Sequence, residues 1–181
     1  MTRAGAVVSS TLLSDQIILS ANNFRKGATA PADGTLGTTP TVPTILMALT
    51  TELLTVGALM PFNWDRTVDV QLVLEWALAS VQINNDTLDV TCDYTVPLLN
   101  TAASGVDKAS TQVTGQITAV TGRLAVADMY QMSINLARAD ATNPYTSANA
   151  LGFAVEFHLT NVTGVASAHF LGGCINYERL H

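Results

Sequence analysis

Apolar and polar residues alternate along much of this chain with a period of two. In LGFAVEFHLT (residues 151–160), every odd-numbered residue is large and apolar, and every even-numbered residue is small or polar. Successive side chains of a strand point to opposite faces, so this pattern predicts a strand with one buried face. Helical periodicity is hard to find anywhere in the chain. The sequence therefore predicts an all-β protein.

Eight segments with this pattern are separated by clusters of turn-forming residues such as Gly, Pro, Asn and Asp. The predicted strands cover residues 13–21, 46–61, 68–82, 88–96, 111–121, 129–138, 151–160 and 165–178. Asn84-Asn85-Asp86 has the composition of a tight turn, which predicts a hairpin between the third and fourth strands. Gly172-Gly173 predicts a bulge in the last strand.

Eight antiparallel strands with loops of variable length favour a jelly roll, in which two four-stranded sheets pack face to face. An immunoglobulin-like sandwich and a closed eight-stranded barrel are the alternatives. Residues 1–12 are small and polar, which predicts a flexible N-terminal arm, and residues 13–181 are expected to form one jelly-roll domain. Residues 22–44 are rich in Gly, Pro and Thr and are expected to form a long loop that contacts a partner.

Charged residues are scarce. They make up 12% of the 181 residues, about half the usual share of ~25%. Because a monomer normally carries a charged surface of mixed sign, we expect other protein to cover part of this surface. The net charge is −6, and the eight basic residues are scattered singly. This distribution disfavours a nucleic-acid partner, which needs clustered Lys and Arg. No apolar run approaches the ~20 residues that span a bilayer, so no membrane partner is expected.

Glu156 and His158 fall on the polar face of the seventh predicted strand, where a carboxylate and an imidazole could be catalytic or bind metal. A site of two histidines and one carboxylate, with His169, is conceivable if the last two strands pair. The paired histidines of cupin-type jelly rolls are missing, however. Asp89 and Asp93 share the outward face of the fourth strand and are interpreted as solubilising residues. We predict no catalytic residue, no cofactor and no metal site, and expect Glu156 and His158 to face solvent or another subunit.

The two cysteines and two tryptophans give weaker signals. Cys92 and Cys174 are expected to be buried free thiols, and a bridge between them is the alternative. Trp76 lies on an apolar face and is expected in the core. Trp64, in the corner sequence MPFNWDRT, is interpreted as a cap on the end of the sandwich, with stacking on a sugar or a partner loop as the alternative.

Several phrases of the chain resemble a group of small structural proteins from tailed phages and environmental viruses. These phrases are ILSANNFRKGATAP, WDRTVDVQLVLEWAL, LDVTCDY, GVDKAST and RADATNPYTSANALGFAVEFHLTNVTGVASAHFLGGCINYE. The resemblance implies a jelly-roll head-decoration or cement subunit that forms a homotrimer and binds the major capsid protein lattice on the virion surface. It supplies no catalytic residues.

The sequence therefore favours a non-enzymatic virion structural protein that binds itself and the major capsid protein. The expected partner-binding residues, in the long loop and at the corner, are Asn23, Phe24, Arg25, Lys26, Trp64 and Arg66. The first alternative is a receptor-binding or glycan-binding jelly roll of a phage fibre or tail, with Trp64, Tyr145 and Tyr177 exposed for stacking. A cupin-like metalloenzyme is the second.

Overall fold

The computed structural model describes residues 13–80, 82, 86–99, 110–118, 128–146, 148–160 and 165–180. The predicted N-terminal arm, residues 1–12, lies outside the described residues. The described residues form eleven strands and one short 3₁₀ helix, Ala21–Asn23. The strands are β1 (Leu13–Ser20), β2 (Arg25–Lys26), β3 (Ala32–Leu36), β4 (Val42–Met47), β5 (Leu54–Leu59), β6 (Val70–Leu78), β7 (Thr87–Thr95), β8 (Thr111–Thr118), β9 (Met129–Leu136), β10 (Gly152–Leu159) and β11 (Ala168–Arg179). Within these ranges, no helix has the length and apolar character needed to cross a membrane.

Sheet A is antiparallel and is organised around its longest strand, β11. Its strand order is β3–β4–β11–β6–β9, and β1 also pairs with β11. One side of β11 pairs with β6. The other side is shared, because Ala168–Phe170 pairs with β4 and Gly172–Arg179 pairs with β1. Two early strands of the chain are therefore fixed by one late strand.

Sheet B is also antiparallel, with the strand order β2–β5–β10–β7–β8. The strands from β4 to β11 form two four-stranded layers, β4–β11–β6–β9 and β5–β10–β7–β8. Two antiparallel four-stranded sheets between which the chain crosses repeatedly are the jelly-roll arrangement. The predicted all-β jelly-roll sandwich is confirmed, and β1, β2 and β3 extend its two sheets.

The core lies between the sheets and is filled by the inward half of the alternation. Along β7 and the residue after it, the predicted inward set is at most 2% exposed: Leu88, Val90, Cys92, Tyr94 and Val96. Aromatic rings from both sheets meet at the centre. Phe157 of β10 lies 6.0 Å from Trp76 of β6, and Phe170 of β11 lies 5.1 Å from each of them. These edge-on and tilted contacts lock the two sheets together.

The predicted hairpin between residues 68–82 and 88–96 is wrong. These segments form β6 and β7, which belong to different sheets. β6 pairs with β9 and β11, whereas β7 pairs with β8 and β10. Both strands bury an apolar face in the same core. Their alternation is the same whether the strands are neighbours in one sheet or face each other across a sandwich.

The prediction of one long loop at residues 22–44 is also wrong in part, because the segment contains β2, β3 and the start of β4. β3 has the sequence ADGTL and lies at the edge of sheet A, mostly exposed. An edge strand needs little apolar surface, so its composition looks like that of a turn. Gly34 is required there, since a Cβ would lie 2.9 Å from His169 Nδ1 and from Thr44 Oγ1.

The second predicted strand, residues 46–61, is split between the two sheets. β4 ends at Met47 in sheet A, and β5 begins at Leu54 in sheet B. Between them, the buried Glu52 carboxylate accepts hydrogen bonds from the backbone N–H groups of Ala48 (2.6 Å) and Leu49 (3.0 Å). This local side-chain capping closes the turn that carries the chain from one sheet to the other.

The predicted bulge in the last strand is confirmed. The pairing of β11 with β6 shifts between Phe170 and Gly172. Gly172 has a φ of 138°, a conformation that favours glycine. A Cβ on Gly173 would overlap the backbone carbonyl oxygen of Val73. Both glycines are therefore needed for the backbone to pass this close to its neighbours.

Candidate functional site

The aromatic residues expected to be exposed for stacking are buried instead. Trp64 and Tyr145 are 0% exposed, and Tyr177 is also buried. The rings of Trp64 and Tyr145 stack on each other at 5.1 Å, and Phe153 of β10 meets both edge-on. The expectation of an exposed stacking platform is wrong. The interpretation of Trp64 as a cap on the end of the sandwich fits its position in this cluster.

The hydroxyl group of Tyr145 in this cluster is matched to backbone partners. The Tyr145 hydroxyl accepts a hydrogen bond from Val70 N (2.8 Å) and donates one to Leu136 O (2.6 Å). Burial raises the pKa of this hydroxyl. Arg66 lies over the Trp64 ring, 4.9 Å from its centroid, and burial lowers the pKa of its guanidinium. Trp64 and Arg66, predicted to bind a partner, are thus engaged with each other.

The other four predicted partner-binding residues divide into two pairs. Phe24 is buried, with its ring 4.8 Å from Phe170 and 5.6 Å from Phe157, and Lys26 forms an ion pair with Asp33 (2.6 Å). Asn23 and Arg25, by contrast, line a groove on the surface.

This groove, of about 950 Å³, crosses the outer face of sheet B. Its floor is low because Gly57 of β5 and Ala154 of β10 are small, and a Cβ on Gly57 would meet nothing within 4 Å. Its lining is mainly polar. The lining residues are Asn23, Arg25, Thr55, Val56, Gly57, Asp93, Thr95, Ser110, Ala154, Val155 and Glu156.

The strand register arranges the principal polar residues of the groove in one row. Arg25 of β2 is opposite Thr55 of β5, Thr55 is opposite Glu156 of β10, and Glu156 is opposite Asp93 of β7. Directly opposed residues project from the same face of a sheet, and strands lie ~4.8 Å apart. The row therefore crosses about 14 Å of sheet surface, perpendicular to the strands.

The row carries one cation at one end and two carboxylates at the other. Ser110 Oγ donates a hydrogen bond to Asp93 Oδ1 at 3.2 Å. Among the described residues, the ion pairs within 4.0 Å are Lys26–Asp33 and Arg179–Asp15. Arg25 is therefore not ion-paired with Glu156 or Asp93 in this part of the chain, and the groove keeps a formal charge of −1.

The two-histidine site is excluded by the strand topology. Glu156 and His158 lie on β10 in sheet B, whereas His169 lies on β11 in sheet A. His169 Nδ1 is 2.8 Å from the Thr44 hydroxyl, and burial lowers the pKa of this histidine. The described ranges contain no group of three or more His, Cys, Asp or Glu residues placed to hold a metal ion.

Both cysteines are free, as predicted, and the alternative of a Cys92–Cys174 bridge is wrong. Cys92 is buried, as expected, but Cys174 is only half-buried. Cys92 lies on β7 of sheet B, and Cys174 lies on β11 of sheet A. Burial raises the pKa of the Cys92 thiol to about 12, with a smaller contribution from Asp93. Burial also raises the pKa of Cys174, whose thiol donates a hydrogen bond to Asn176 Oδ1 at 3.3 Å. Neither is an activated thiol.

Sequence reasoning placed Glu156 and Asp93 on outward faces, as the structure does, but did not bring them together. Their contact depends on β10 pairing with β7, which the period-two pattern does not specify. One available signal was the presence of small outward residues, Gly57 and Ala154, on two central strands. Such residues leave space that a ligand can fill.

No protein-family model matches the chain, and no curated protein matches it significantly. Solved structures similar to it include the CBM22-2 xylan-binding domain of Paenibacillus barcinonensis Xyn10C. That comparison has 10% identity and a TM-score of 0.48, and covers 86% of this chain and 92% of that one. A carbohydrate-binding module specific for non-crystalline cellulose, CBM28, has 9% identity and a TM-score of 0.47, with coverage of 87% and 84%.

The tandem CBM22-1–CBM22-2 domain of Xyn10C is similar at 11% identity and a TM-score of 0.47, over 86% of this chain. This chain spans 46% of the length of that tandem domain. Because all three TM-scores are below 0.5, the assignment of a jelly-roll sandwich rests on the strand pairing of this chain itself.

Proposed function

We propose that this protein is a non-catalytic glycan-binding module that holds a short stretch of an oligosaccharide or polysaccharide in the groove of sheet B. The observation that supports this proposal is the groove itself, an open channel of about 950 Å³ that crosses the strands over small residues. Its size is at the upper end of the ~300–1,000 Å³ typical of ligand sites. A row about 14 Å long suits an elongated ligand.

The chemistry of the lining suits a ligand rich in hydroxyl groups. Arg25 offers up to five N–H donors, and the carboxylates of Glu156 and Asp93 are acceptors. The hydroxyl groups of Thr55, Thr95 and Ser110 can both donate and accept hydrogen bonds. Sugar hydroxyls also donate and accept, so each can find a partner in the row. Because the row is fixed by strand pairing, little ordering is required when the ligand binds.

The two carboxylates are placed to bind a ligand from one side. Glu156 and Asp93 are opposed neighbours in one face of a sheet, so both project towards the same side of a ligand. There they can accept hydrogen bonds from hydroxyl or amino groups of the ligand.

A substitution that fills the groove tests this proposal. Gly57→Leu adds a side chain where nothing lies within 4 Å of the new Cβ, so the fold is retained while the floor is blocked. We expect binding to soluble oligosaccharides, found by array and quantified by calorimetry, to weaken at least ~10-fold.

The matched control is Ser133→Leu, which adds the same side chain to an exposed position of β9 on the other sheet. This variant should bind like the parent protein. The proposal is wrong if no glycan binds, or if Gly57→Leu and the parent protein bind equally well.

The outer face of sheet A supports a second candidate function, capsid decoration. Among the described outward-facing residues of β1, β6, β9 and β11, the ionisable side chains are Glu75, His169, Cys174 and Glu178, and burial raises the pKa of the Cys174 thiol. Ile18 and Met129 on the same face are 64% and 58% exposed. A weakly charged face requires little desolvation when covered, so it suits contact with sister subunits, as a trimer, or with a major capsid protein lattice.

Sedimentation analysis of Ile18→Asp tests this second candidate. A carboxylate on this face should dissociate a self-associated parent protein and reduce its attachment to shells of the major capsid protein. Phe62→Asp, at a more exposed apolar position outside the strands of this face, is the control and should leave both properties unchanged. A parent protein that sediments as a monomer at high concentration and ignores the shells would contradict the candidate.

A further inference from the structure

We infer that the groove of sheet B selects glycans that carry protonated amino groups, such as oligomers of glucosamine, over neutral and acidic glycans. This inference rests on the proposed glycan-binding function. It comes from the charge arrangement inside the groove, where Glu156 and Asp93 are directly opposed on adjacent strands.

Two like charges directly opposite each other in a sheet repel and destabilise the pair. Both side chains are half-buried, and they project from β10 and β7, which are interior strands of sheet B. Partial removal from water strengthens the repulsion. The strands are hydrogen-bonded to each other, so the two carboxylates cannot separate by moving the backbone. A cation bound between the two carboxylates would relieve this repulsion.

Arg25 does not supply that cation. It lies two strands away from Glu156 in the row, about 10 Å at ordinary strand spacing. No ion pair joins it to either carboxylate among the described residues. The carboxylate end of the groove is therefore available to an ammonium group of the ligand, which can donate hydrogen bonds to Glu156 and Asp93 together.

The same arrangement disfavours acidic glycans. A carboxylate or sulfate on the ligand can pair with Arg25, but the next positions along the row meet Glu156 and Asp93. Because an elongated ligand must lie across both ends, repulsion from two carboxylates opposes attraction to one guanidinium. We therefore expect amino oligomers to bind most tightly, neutral oligomers less tightly, and acidic oligomers least tightly.

Calorimetric titration with three oligosaccharides of equal length tests this order. The probes are a glucosamine oligomer, its neutral glucose counterpart and a uronic acid oligomer, at about pH 5.5, where the amino groups of the first probe are protonated and the carboxyl groups of the third are ionised. We expect the glucosamine oligomer to bind at least ~10-fold more tightly than the glucose oligomer. Added salt should reduce this preference, as for any partly exposed charge interaction.

Glu156→Gln and Asp93→Asn should each reduce the preference for the glucosamine oligomer over the glucose oligomer, because each removes one of the two opposed carboxylates. The matched control is Glu75→Gln, the same change at a half-buried position of a central strand in sheet A. This control separates the groove from general attraction of a cationic oligomer to an acidic protein. The Glu75→Gln variant should keep the preference for the glucosamine oligomer.

Equal binding of amino and neutral oligomers, or equal loss of preference in Glu75→Gln, overturns the inference and leaves the proposed glycan-binding function standing. Tightest binding of the uronic acid oligomer also overturns it, and assigns the dominant role to Arg25. If none of the three oligomers binds, the inference fails, and the proposed function fails with it only when the array also finds no glycan that binds.

Discussion

Replacing Phe157 with alanine is expected to lower the free energy of unfolding by about 3–5 kcal/mol. Phe157 of β10 is fully buried and contacts rings from three other segments: Phe24 before β2, Trp76 of β6 and Phe170 of β11. Removal of its ring leaves a cavity between the sheets that none of these rings can fill without losing its own contacts. Both the lost transfer energy and the cavity contribute to the effect.

Urea denaturation followed by tryptophan fluorescence measures this change as a shift in midpoint at constant slope. Phe62→Ala is the control, because the side chain of Phe62 is 91% exposed. The control should change stability by no more than about 0.5 kcal/mol. Equal effects of the two substitutions would contradict the assignment of Phe157 to the core.

Gly173→Ala is expected to cost about 2–3 kcal/mol, in the upper part of the range for overpacking. The added Cβ would overlap the backbone carbonyl oxygen of Val73 on β6. A flexible side chain could move aside, but a carbonyl that belongs to a strand ladder cannot do so without disturbing the pairing of β11 with β6. The same urea experiment measures the loss.

Gly57→Ala provides the matched control for this second prediction. Gly57 also lies in a strand, β5, but a Cβ there meets nothing within 4 Å. This substitution should be neutral or slightly stabilising, because alanine reduces the conformational freedom of the unfolded chain. A neutral result for Gly173→Ala would mean that β11 passes β6 less closely than described.

The fold class could be predicted because a strand with one buried face has alternating apolar and polar residues, and this alternation is visible in the sequence itself. The inward residues of β7, from Leu88 to Tyr94, and those of β10 follow strict alternation, and the structure buries them. The bulge at Gly172-Gly173 also has a local cause. Such features depend on near neighbours in the chain, which a single sequence displays directly.

Strand pairing could not be predicted in the same way. Alternation identifies the buried face of β6 and β7 but not the sheet to which each strand belongs. A tight-turn composition between them therefore gave a hairpin that does not exist. Similarly, residues 46–61 read as one strand, because the buried turn at Glu52 carries ordinary strand-forming residues on both sides.

Some residues of the groove could be predicted from the sequence. Asn23 and Arg25 were predicted to bind a partner, and both line the groove. Trp64, Tyr145 and Phe24 were misplaced because large aromatic residues in turn-rich sequence can either cap a core or face a ligand, and composition does not separate these roles. Glu156 and Asp93 were assigned to the correct face, but their proximity follows from pairing between distant segments.

The shared edge of β11 has a consequence for synthesis of the protein. β1 and β4 both pair with β11, and β6 pairs with its other side, yet β11 is translated after all three. A nascent chain must therefore carry three strands with unsatisfied edges while the ribosome completes the rest. Unpaired edges invite aggregation, and pairing between such distant segments is slow. A lower growth temperature, or a chaperone that shields these edges, should increase the yield of folded protein.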